Sequence, residues 1–333
     1  MNWPPEETAN KRGGAALVTG AAGFIGAPLT KALLARDYNV TAFDLRSVPV
    51  DHPRLRQVIG DVRDRQALAG LAGKYDVVFH LAANTENRPG RAGRWDDYEI
   101  TVGGTVALLE GLCADPPAVV VLTSTQLVYG PTAAAVEEMT AVRPATLFAA
   151  AKAAAEAFLC AYTQRTGTRG VACRLANVVG PRARRGVISD LVGQLREDPS
   201  KLKVLGDGRQ RRSFVHVDDC VSALLTSAGG AAGGWSALNV SNTDSITVAE
   251  VAGIVAQCCP QVVAELQFEG GSSWQGDATA LHPDPARLLA LGWRPSHTSA
   301  EAVRATARGM FGLEDPPKEP SAASARSLQP QDD

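Results

Sequence analysis

This chain of 333 residues lacks the features of several protein classes. No apolar run approaches the ~20 residues that a membrane-spanning helix requires. Residues 1–7 are charged and proline-rich where a secretory signal would be apolar. Thirty-three basic and 35 acidic residues leave a formal charge of −2, which excludes nucleic acid or an acidic membrane as the main expected partner. The sequence therefore predicts a globular protein of the cytoplasm.

The six cysteines lack the pattern of a disulfide framework. No two of them stand at C-x-x-C spacing, and His282 has no cysteine or histidine at metal-ligand spacing. We therefore expect reduced thiols and no metal site.

What the chain does contain is a glycine-rich segment, TGAAGFIG, between a strand-like run (15–18) and a helical run (27–36). Gly20 permits a sharp bend, Gly23 lets a pyrophosphate approach the backbone, and Gly26 lets the helix pack on the strand. An ordinary glycine-rich turn is the alternative for the motif taken alone. The residues predicted to face a dinucleotide here are Gly20, Gly23, Phe24, Ile25 and Gly26.

Two carboxylates follow later strands. Asp44 closes a strand at 39–43, near the ~20-residue spacing at which a carboxylate accepts the ribose hydroxyls of NAD. Arg46 leaves a 2′-phosphate, and so NADP, possible. Asp61 follows a strand at 55–59 and is predicted either to reach the adenine amino group or to cap a helix.

Strands and helices alternate along most of the chain, which is typical of an α/β fold with a parallel sheet covered on both faces. We expect a Rossmann-like doubly wound sheet with a smaller α/β substrate-binding region. Further strands are predicted at 77–81, 118–123, 170–175, 215–217 and 237–240, and helices at 66–71, 96–113 and 146–166. The predicted divisions are a flexible tail at 1–13, an NAD-binding domain at 14–176 plus about 213–242, a substrate-binding domain at 177–212 plus about 243–312, and a disordered tail at 313–333.

Several ordered motifs resemble the extended short-chain dehydrogenase/reductase family, the NAD-dependent epimerases and dehydratases of nucleotide sugars. They are TGAAGFIG (19–26), GDVRD (60–64), HLAA (80–83), STQLVYG (124–130), RLANVVGP (174–181), GDGRQRRSFVHVDD (206–219) and LGWRP (291–295). The resemblance covers about residues 14–310. It implies an NAD cofactor, a homodimer formed through the helices at 96–113 and 146–166, and further cofactor contacts from Leu45, Val62, Leu81, Ala82, Ala83, Thr123, Lys152 and Val178.

The resemblance also implies a catalytic tyrosine and lysine four residues apart, on one helix face. Here Lys152 is in place, but the tyrosine position is Phe148. Phenylalanine cannot carry a proton, so we expect an altered proton relay. Thr125 matches the family residue that hydrogen-bonds the reacting sugar oxygen.

Other positions depart from the family pattern. Thr101 stands where the family has an asparagine, and Thr279 where a second phosphate-binding arginine is expected. Gln126 and Leu127 replace the acid and base of the sugar 4,6-dehydratases, so plain 4,6-dehydration is not expected.

Four residues are expected on the substrate side by the same resemblance: Thr85, Gln126, Asn177 and Arg212, the last two near the diphosphate of a UDP- or dTDP-sugar. Glu86, in the loop after the fourth strand, is the predicted substitute acid or base, with an exposed loop glutamate as the alternative. Together these observations favour a nucleotide-sugar epimerase or oxidoreductase. A redox-silent NAD-binding protein, or a catalyst of a reaction without net hydride transfer, is the second hypothesis.

Overall fold

A computed structural model describes residues 13–71, 73–85, 94–132, 135–229, 234–261, 265–270 and 281–313. Both predicted tails therefore lie almost wholly outside the described residues. The six cysteines are all free thiols. In the described part of the chain, no helix is long and apolar enough to cross a membrane.

The central sheet has seven parallel strands within the described residues. They are β1 (Ala15–Thr19), β2 (Asn39–Asp44), β3 (Leu55–Ile59), β4 (Val77–His80), β5 (Val119–Thr125), β6 (Arg169–Leu175) and β7 (Trp235–Val240). Their order is β7-β6-β5-β4-β1-β2-β3. Strand addition thus reverses between β1 and β4, and this reversal opens a crevice at the carboxyl ends of the strands. The predicted α/β, Rossmann-like doubly wound fold is confirmed.

Helices cover both faces of this sheet. The helices of the described residues are α1 (Gly26–Leu34), α2 (Arg65–Ala69), α3 (Arg94–Asp96), α4 (Gly104–Gly111), α5 (Leu147–Thr166), α6 (Val187–Glu197), α7 (Val217–Gly229), α8 (Val248–Cys258), α9 (Ala286–Ala290) and α10 (Ser299–Phe311). A π-helix (Asp97–Gly103) joins α3 to α4, and a 3₁₀ helix (Gln126–Tyr129) follows β5.

Two of these elements differ from the sequence-based expectation. The helix predicted at 96–113 contains the π-helical turn. The strand predicted at 215–217 ends at His216, and Val217 begins α7 with Asp218 and Asp219 in its first turn. Acidic side chains there favour a helix start because they face its partial positive charge.

Three large apolar clusters are present in the described residues. One joins α1 and α7 to one face of the sheet, and it includes Leu29, Leu224 and Trp293. A second joins α2, α4 and α5 to the other face, around Leu108 and Leu159. The third, which we call the C-terminal cluster, packs α6, α8 and α10 together with Phe214 and is separate from both. The exact domain boundaries given above stay a prediction.

In the part of the chain that the structure describes, four short strand pairs lie outside the central sheet. Three are parallel, and the pair at 211–212 is antiparallel. The pairs are Ala135–Val136 with His282–Pro283, Asn177–Val179 with Phe214–His216, Lys201–Leu205 with Glu265–Glu269, and Arg211–Arg212 with Ile246–Thr247. They join segments that are far apart in sequence.

Candidate functional site

The glycine turn lies at the carboxyl end of β1, where α1 begins. Gly20 has φ +69°, and a Cβ there would stand 2.8 Å from the amide nitrogen of Ala82. A Cβ on Gly26 would stand 2.0 Å from the carbonyl oxygen of Gly20, and one on Gly23 would stand 3.0 Å from the same oxygen. Side chains are therefore excluded where a dinucleotide pyrophosphate must approach the backbone, so the turn fits that group.

Asp44 ends β2 and is tied to this turn. Its Oδ2 accepts a hydrogen bond from Ala22 N (3.0 Å), and its Oδ1 accepts one from Arg46 N (3.1 Å). Leu45, between the two, is 65 % exposed. The carboxylate keeps further lone pairs for ribose hydroxyls, because an ionised carboxylate has about four acceptor sites.

Asp61 is held by an arginine. Arg63 Nε lies 3.1 Å from each carboxylate oxygen, and Nη2 lies 2.6 Å from Oδ2. This bidentate contact keeps the pKa of Asp61 below its usual value. The alternative prediction that Asp61 caps a helix is wrong, because Asp64 caps α2 by accepting from Gln66 N and Ala67 N. Val62 is buried beside Gly104.

A buried hydrogen-bond chain fixes the loop after β4. Thr105 Oγ1 donates to the carbonyl of Thr101, so it accepts from His80 Nε2 (3.0 Å). His80 Nδ1 is then the acceptor from Thr19 Oγ1 (2.7 Å), which itself accepts from Ala82 N. Burial, reinforced by the charge of Lys152, lowers the pKa of His80 to about 3. The imidazole is therefore neutral, and it holds the segment 81–83 against the glycine turn, as expected for a satisfied core histidine.

Lys152 lies beside this hydrogen-bond chain, one turn into α5. It is 5 % exposed, and its Nζ donates to the carbonyl of Thr123 on β5 (2.6 Å). Thr123 Oγ1 in turn donates to the carbonyl of His80 (3.3 Å). Burial lowers the pKa of Lys152 to about 8, although the carboxylate of Glu156 opposes the shift. These contacts link β4, β5 and α5 at one edge of the sheet.

Phe148 is half-buried in the first turn of α5, where Thr146 is the N-cap and accepts from Ala149 N. Thr125 ends β5, and its Oγ1 accepts from Leu127 N (3.3 Å), which leaves its hydroxyl hydrogen able to donate. Gln126 follows and is 5 % exposed. The 3₁₀ helix that Gln126 begins packs against α5.

Behind this edge lies a buried ion pair that the sequence did not reveal. Arg174 Nη2 lies 2.7 Å from Glu156 Oε2, and Ser124 donates to Glu156 Oε1. Arg174 also lies over the ring of Tyr129, 4.9 Å from its centre, and Tyr129 donates to Asn239 Oδ1. Tyr129 therefore has a packing role. The sequence signal for the position of Glu156 was its spacing four residues after Lys152, because this spacing puts both side chains on one helix face.

The predicted substrate-side residues are more dispersed. Asn177 donates to the carbonyl of Ser213 (3.0 Å). The next residue, Val178, is half-buried, and beyond it a Cβ on Gly180 would stand 3.3 Å from the ring of Phe24, so this strand reaches the glycine turn. Arg212 lies on its own short strand and donates to the carbonyl of Arg211.

Some predicted positions cannot be placed. Glu86 and Thr279 lie outside the described residues. Thr85 is exposed, and its carbonyl accepts from Arg185 Nη1 at 3.4 Å.

One further pair near the site was missed. Asn84 donates through Nδ2 to Asp97 Oδ1 (2.9 Å), and its main-chain N–H donates to Thr101 Oγ1 (3.1 Å). Burial raises the pKa of Asp97. No spacing rule joins a loop after β4 to the first residue of a π-helix, so sequence reasoning had no signal for this contact.

The doubly wound sheet, the glycine turn at its reversal point and the carboxylate after β2 define a dinucleotide-binding Rossmann protein. Residues 16–240 match the model of the NAD dependent epimerase/dehydratase family. The chain belongs to this family, and NAD is its cofactor.

Known proteins agree with this assignment. A UDP-glucose 4-epimerase of Mycolicibacterium smegmatis is 33 % identical over 87 % of this chain and 96 % of its own length. The structure of MoeE5 with UDP-glucuronic acid and NAD has a TM-score of 0.80 and 29 % identity, and it covers 90 % of this chain and 99 % of that one. The dTDP-glucose 4,6-dehydratase DesIV of Streptomyces venezuelae, with NAD bound, has a TM-score of 0.80 and 28 % identity over 90 % and 97 %. The chain is therefore similar to both epimerases and dehydratases of nucleotide sugars.

Proposed function

We propose that this protein is an NAD-dependent enzyme that epimerises or oxidises a UDP- or dTDP-linked sugar through a proton relay without the family tyrosine. The observation that carries the proposal is the position of Lys152. Its ammonium meets the Thr123 carbonyl beside Thr125, with Phe148 one turn earlier on the same helix. A purely structural lysine would not need to be buried at the carboxyl edge of the sheet, where ligands of such folds bind.

The roles of the chain's residues follow from their chemistry. Bound NAD supplies a hydride acceptor for a carbon of the sugar. Thr125 donates a hydrogen bond to the oxygen on that carbon, and Lys152 supplies positive charge next to it. Glu86 carries the proton that tyrosine would otherwise take.

Plain 4,6-dehydration is not part of the proposal. That reaction needs an acid and a base beside the sugar, and neither Gln126 nor Leu127 titrates. The family likeness to dehydratases therefore concerns fold and cofactor, while the end of β5 supports epimerisation or oxidation.

The test is turnover. The purified protein with NAD is incubated with a panel of UDP- and dTDP-sugars, and products are resolved by chromatography while NADH absorbance is followed. We expect an isomerised or oxidised sugar from at least one member of the panel. No product from any sugar, together with no gain from the Phe148 variant below, would overturn the proposal.

Phe148→Tyr restores a phenol four residues before Lys152. A positioned general acid or base typically contributes ~10²–10⁴-fold in rate, so kcat should rise by at least tenfold. The matched control is Phe158→Tyr on the same helix, where the side chain is 45 % exposed and far along the helix from Lys152. Its kcat should equal that of the wild type.

A second candidate function is motivated by the same substitution. Phe148, Thr101 and Thr279 are consistent with a redox-silent NAD-binding protein, or with a reaction that has no net hydride transfer. In that case NAD should raise the melting temperature while no sugar in the panel is oxidised. Stoichiometric NADH in the first experiment would exclude the silent form.

The proposal includes an assembly and a compartment. We infer a homodimer through the helices at 94–111 and 147–166, and a place in the cytoplasm. Exposed aromatic side chains on these helices, Trp95, Tyr98 and Phe158, support the dimer.

A further inference from the structure

We propose that a cavity between α7, α9 and the strands β6 and β7 binds a small aliphatic carboxylate. The cavity lies near the end of the sheet opposite the NAD site, and this binding does not depend on the proposed function. Three observations support it: the distance from the cofactor edge, two arginine side chains that line the cavity, and the size and apolar character of its other walls.

The cavity is far from the carboxyl edge of the sheet. It is lined by Arg169 and Val171, which lie at the amino end of β6. Leu175, at the carboxyl end of the same strand, lies about 20 Å from Arg169, since a strand rises about 3.3 Å per residue. A dinucleotide that binds beyond the carboxyl ends of the strands therefore does not fill this cavity.

Arg169 gives the cavity a positive charge that is fixed in place. Its Nη2 donates to the carbonyl of Ser227 (3.2 Å) and to that of Ala228, both in the last turn of α7. The carboxyl end of a helix carries a partial negative charge, so these contacts hold the guanidinium. Burial lowers the pKa of Arg169, because its charge is less well solvated than in water. An anion in the cavity offsets part of that lost solvation.

Arg287 of α9 is the second cation that lines the cavity, and its side chain is exposed. Its Nη1 donates to the carbonyl of Ala237 on β7 (3.3 Å), and no carboxylate of the described residues forms an ion pair with it. A guanidinium has five N–H donors, so Arg287 keeps donors for a ligand. A carboxylate suits this group because its two oxygens accept parallel hydrogen bonds from one guanidinium.

The remaining walls favour a small ligand with an apolar part. Val171, Leu238 and Leu291 contribute aliphatic side chains, and Ser227 and Ser236 contribute hydroxyl groups. The volume of the cavity is about 90 Å³, which is room for about three water molecules at liquid density. An acid of about two to four carbons fits such a space. Its hydrocarbon part lies against aliphatic walls, where inorganic phosphate would have to bury hydrated oxygens.

Calorimetric titration tests the binding directly. The full chain is titrated with acetate, propionate and butyrate at constant ionic strength, with chloride as the balancing anion. We expect one molecule of at least one acid to bind per chain, with a dissociation constant on the order of 1 mM, because so few heavy atoms limit the affinity. Inorganic phosphate should bind about tenfold more weakly than the best acid. Absence of binding by all of these acids, or tighter binding of phosphate, would overturn the proposal.

Two variants locate the binding site. Arg287→Gln removes the exposed cation and should weaken binding of the best acid by about tenfold or more, the contribution of a hydrogen bond to a charged group. Ser236→Val occupies the cavity from β7 and should abolish binding, while its melting temperature stays at or above that of the wild type. The matched control is Arg304→Gln at an exposed position of α10, which removes the same charge outside the cavity and should leave binding unchanged. Binding that Arg287→Gln does not weaken would overturn the proposal, because the acid would then bind elsewhere.

Discussion

Lys152 shows how burial at a functional residue lowers stability. Burial brings its pKa from 10.5 to about 8, so at neutral pH the fold holds a charge that water would solvate better. The unfolded chain binds more protons than the folded one between these two pKa values. Stability should therefore rise as pH increases from 8 to 10.5, and below pH 8 the full cost is present.

Lys152→Met should raise the melting temperature at pH 7 by removing that charge, a gain of order 1–3 kcal/mol. The same variant should lose turnover, because no cation remains beside Thr123. Melting curves at pH 7 and pH 9.5 check this, and the advantage of the variant should shrink at the higher pH. Lys31→Met, at an exposed position of α1, is the control and should change neither quantity. A variant that melts below the wild type at pH 7 would contradict the argument.

The sequence placed some candidate site residues on the right elements and missed the contacts of others, for a physical reason. Asp44 and Lys152 were predictable because one follows a strand and the other belongs to a helix, and both elements have regular spacing. The partners of Asp61 and Asp97 were not, since each depends on how a loop folds back. Asp61 meets an arginine two residues away, and Asp97 meets Asn84 across the start of a helix.

At the scale of elements, the glycine turn is defined by contacts that leave no space. The Cβ of an alanine at position 26 would lie 2.0 Å from the carbonyl oxygen of Gly20, which is backbone and cannot rotate away. This clash can be removed only if α1 moves away from the end of β1. The turn and the helix therefore have to shift together.

Gly26→Ala should destabilise the protein by several kcal/mol, or prevent folding, and should abolish the stabilisation by NAD. Thermal melts with and without NAD measure both effects. The matched control is Gly253→Ala in α8, where a Cβ would meet nothing within 4 Å and the helix gains ~1 kcal/mol. Equal stability of the position-26 variant and the wild type would show that this close contact does not exist.

Capping residues are a local signal of helix boundaries, whereas strand pairing outside the main sheet has no such signal. Thr146 begins α5, and Thr298 with Glu301 forms a capping box at α10, which is a local signal. The pairing of Arg211–Arg212 with Ile246–Thr247 involves two residues a side. Such short strands carry no periodicity.

At the scale of the whole molecule, the alternation of strands and helices was enough to predict a parallel sheet covered on both faces. Crossover connections in such sheets follow one hand, which restricts the possible strand orders. Chain association is a separate question. It depends on which exposed apolar side chains are covered by a second copy.

Phe158→Glu should convert the proposed dimer to a monomer, because a charge would enter the face formed by α5 and the π-helix. The π-helix, which packs against α5, carries the exposed Tyr98, whose ring lies 5.3 Å from that of Trp95. Light scattering after size-exclusion chromatography measures the mass. Phe268→Glu, on a strand elsewhere and 44 % exposed like Phe158 at 45 %, should leave the mass unchanged. A wild type that elutes as a monomer would refute the dimer itself.

The C-terminal cluster affects the order in which the two halves of the protein can fold during synthesis. It contains Leu191 and Val204, which precede β7 in the sequence, Val255, which follows β7, and Val303 and Ala307, which belong to α10. A nascent chain can complete the glycine turn and most of the sheet while its last helix is still inside the ribosome. The surfaces that α10 covers stay open until the end, so the cofactor half of the molecule can form earlier than the half that is expected to hold the sugar.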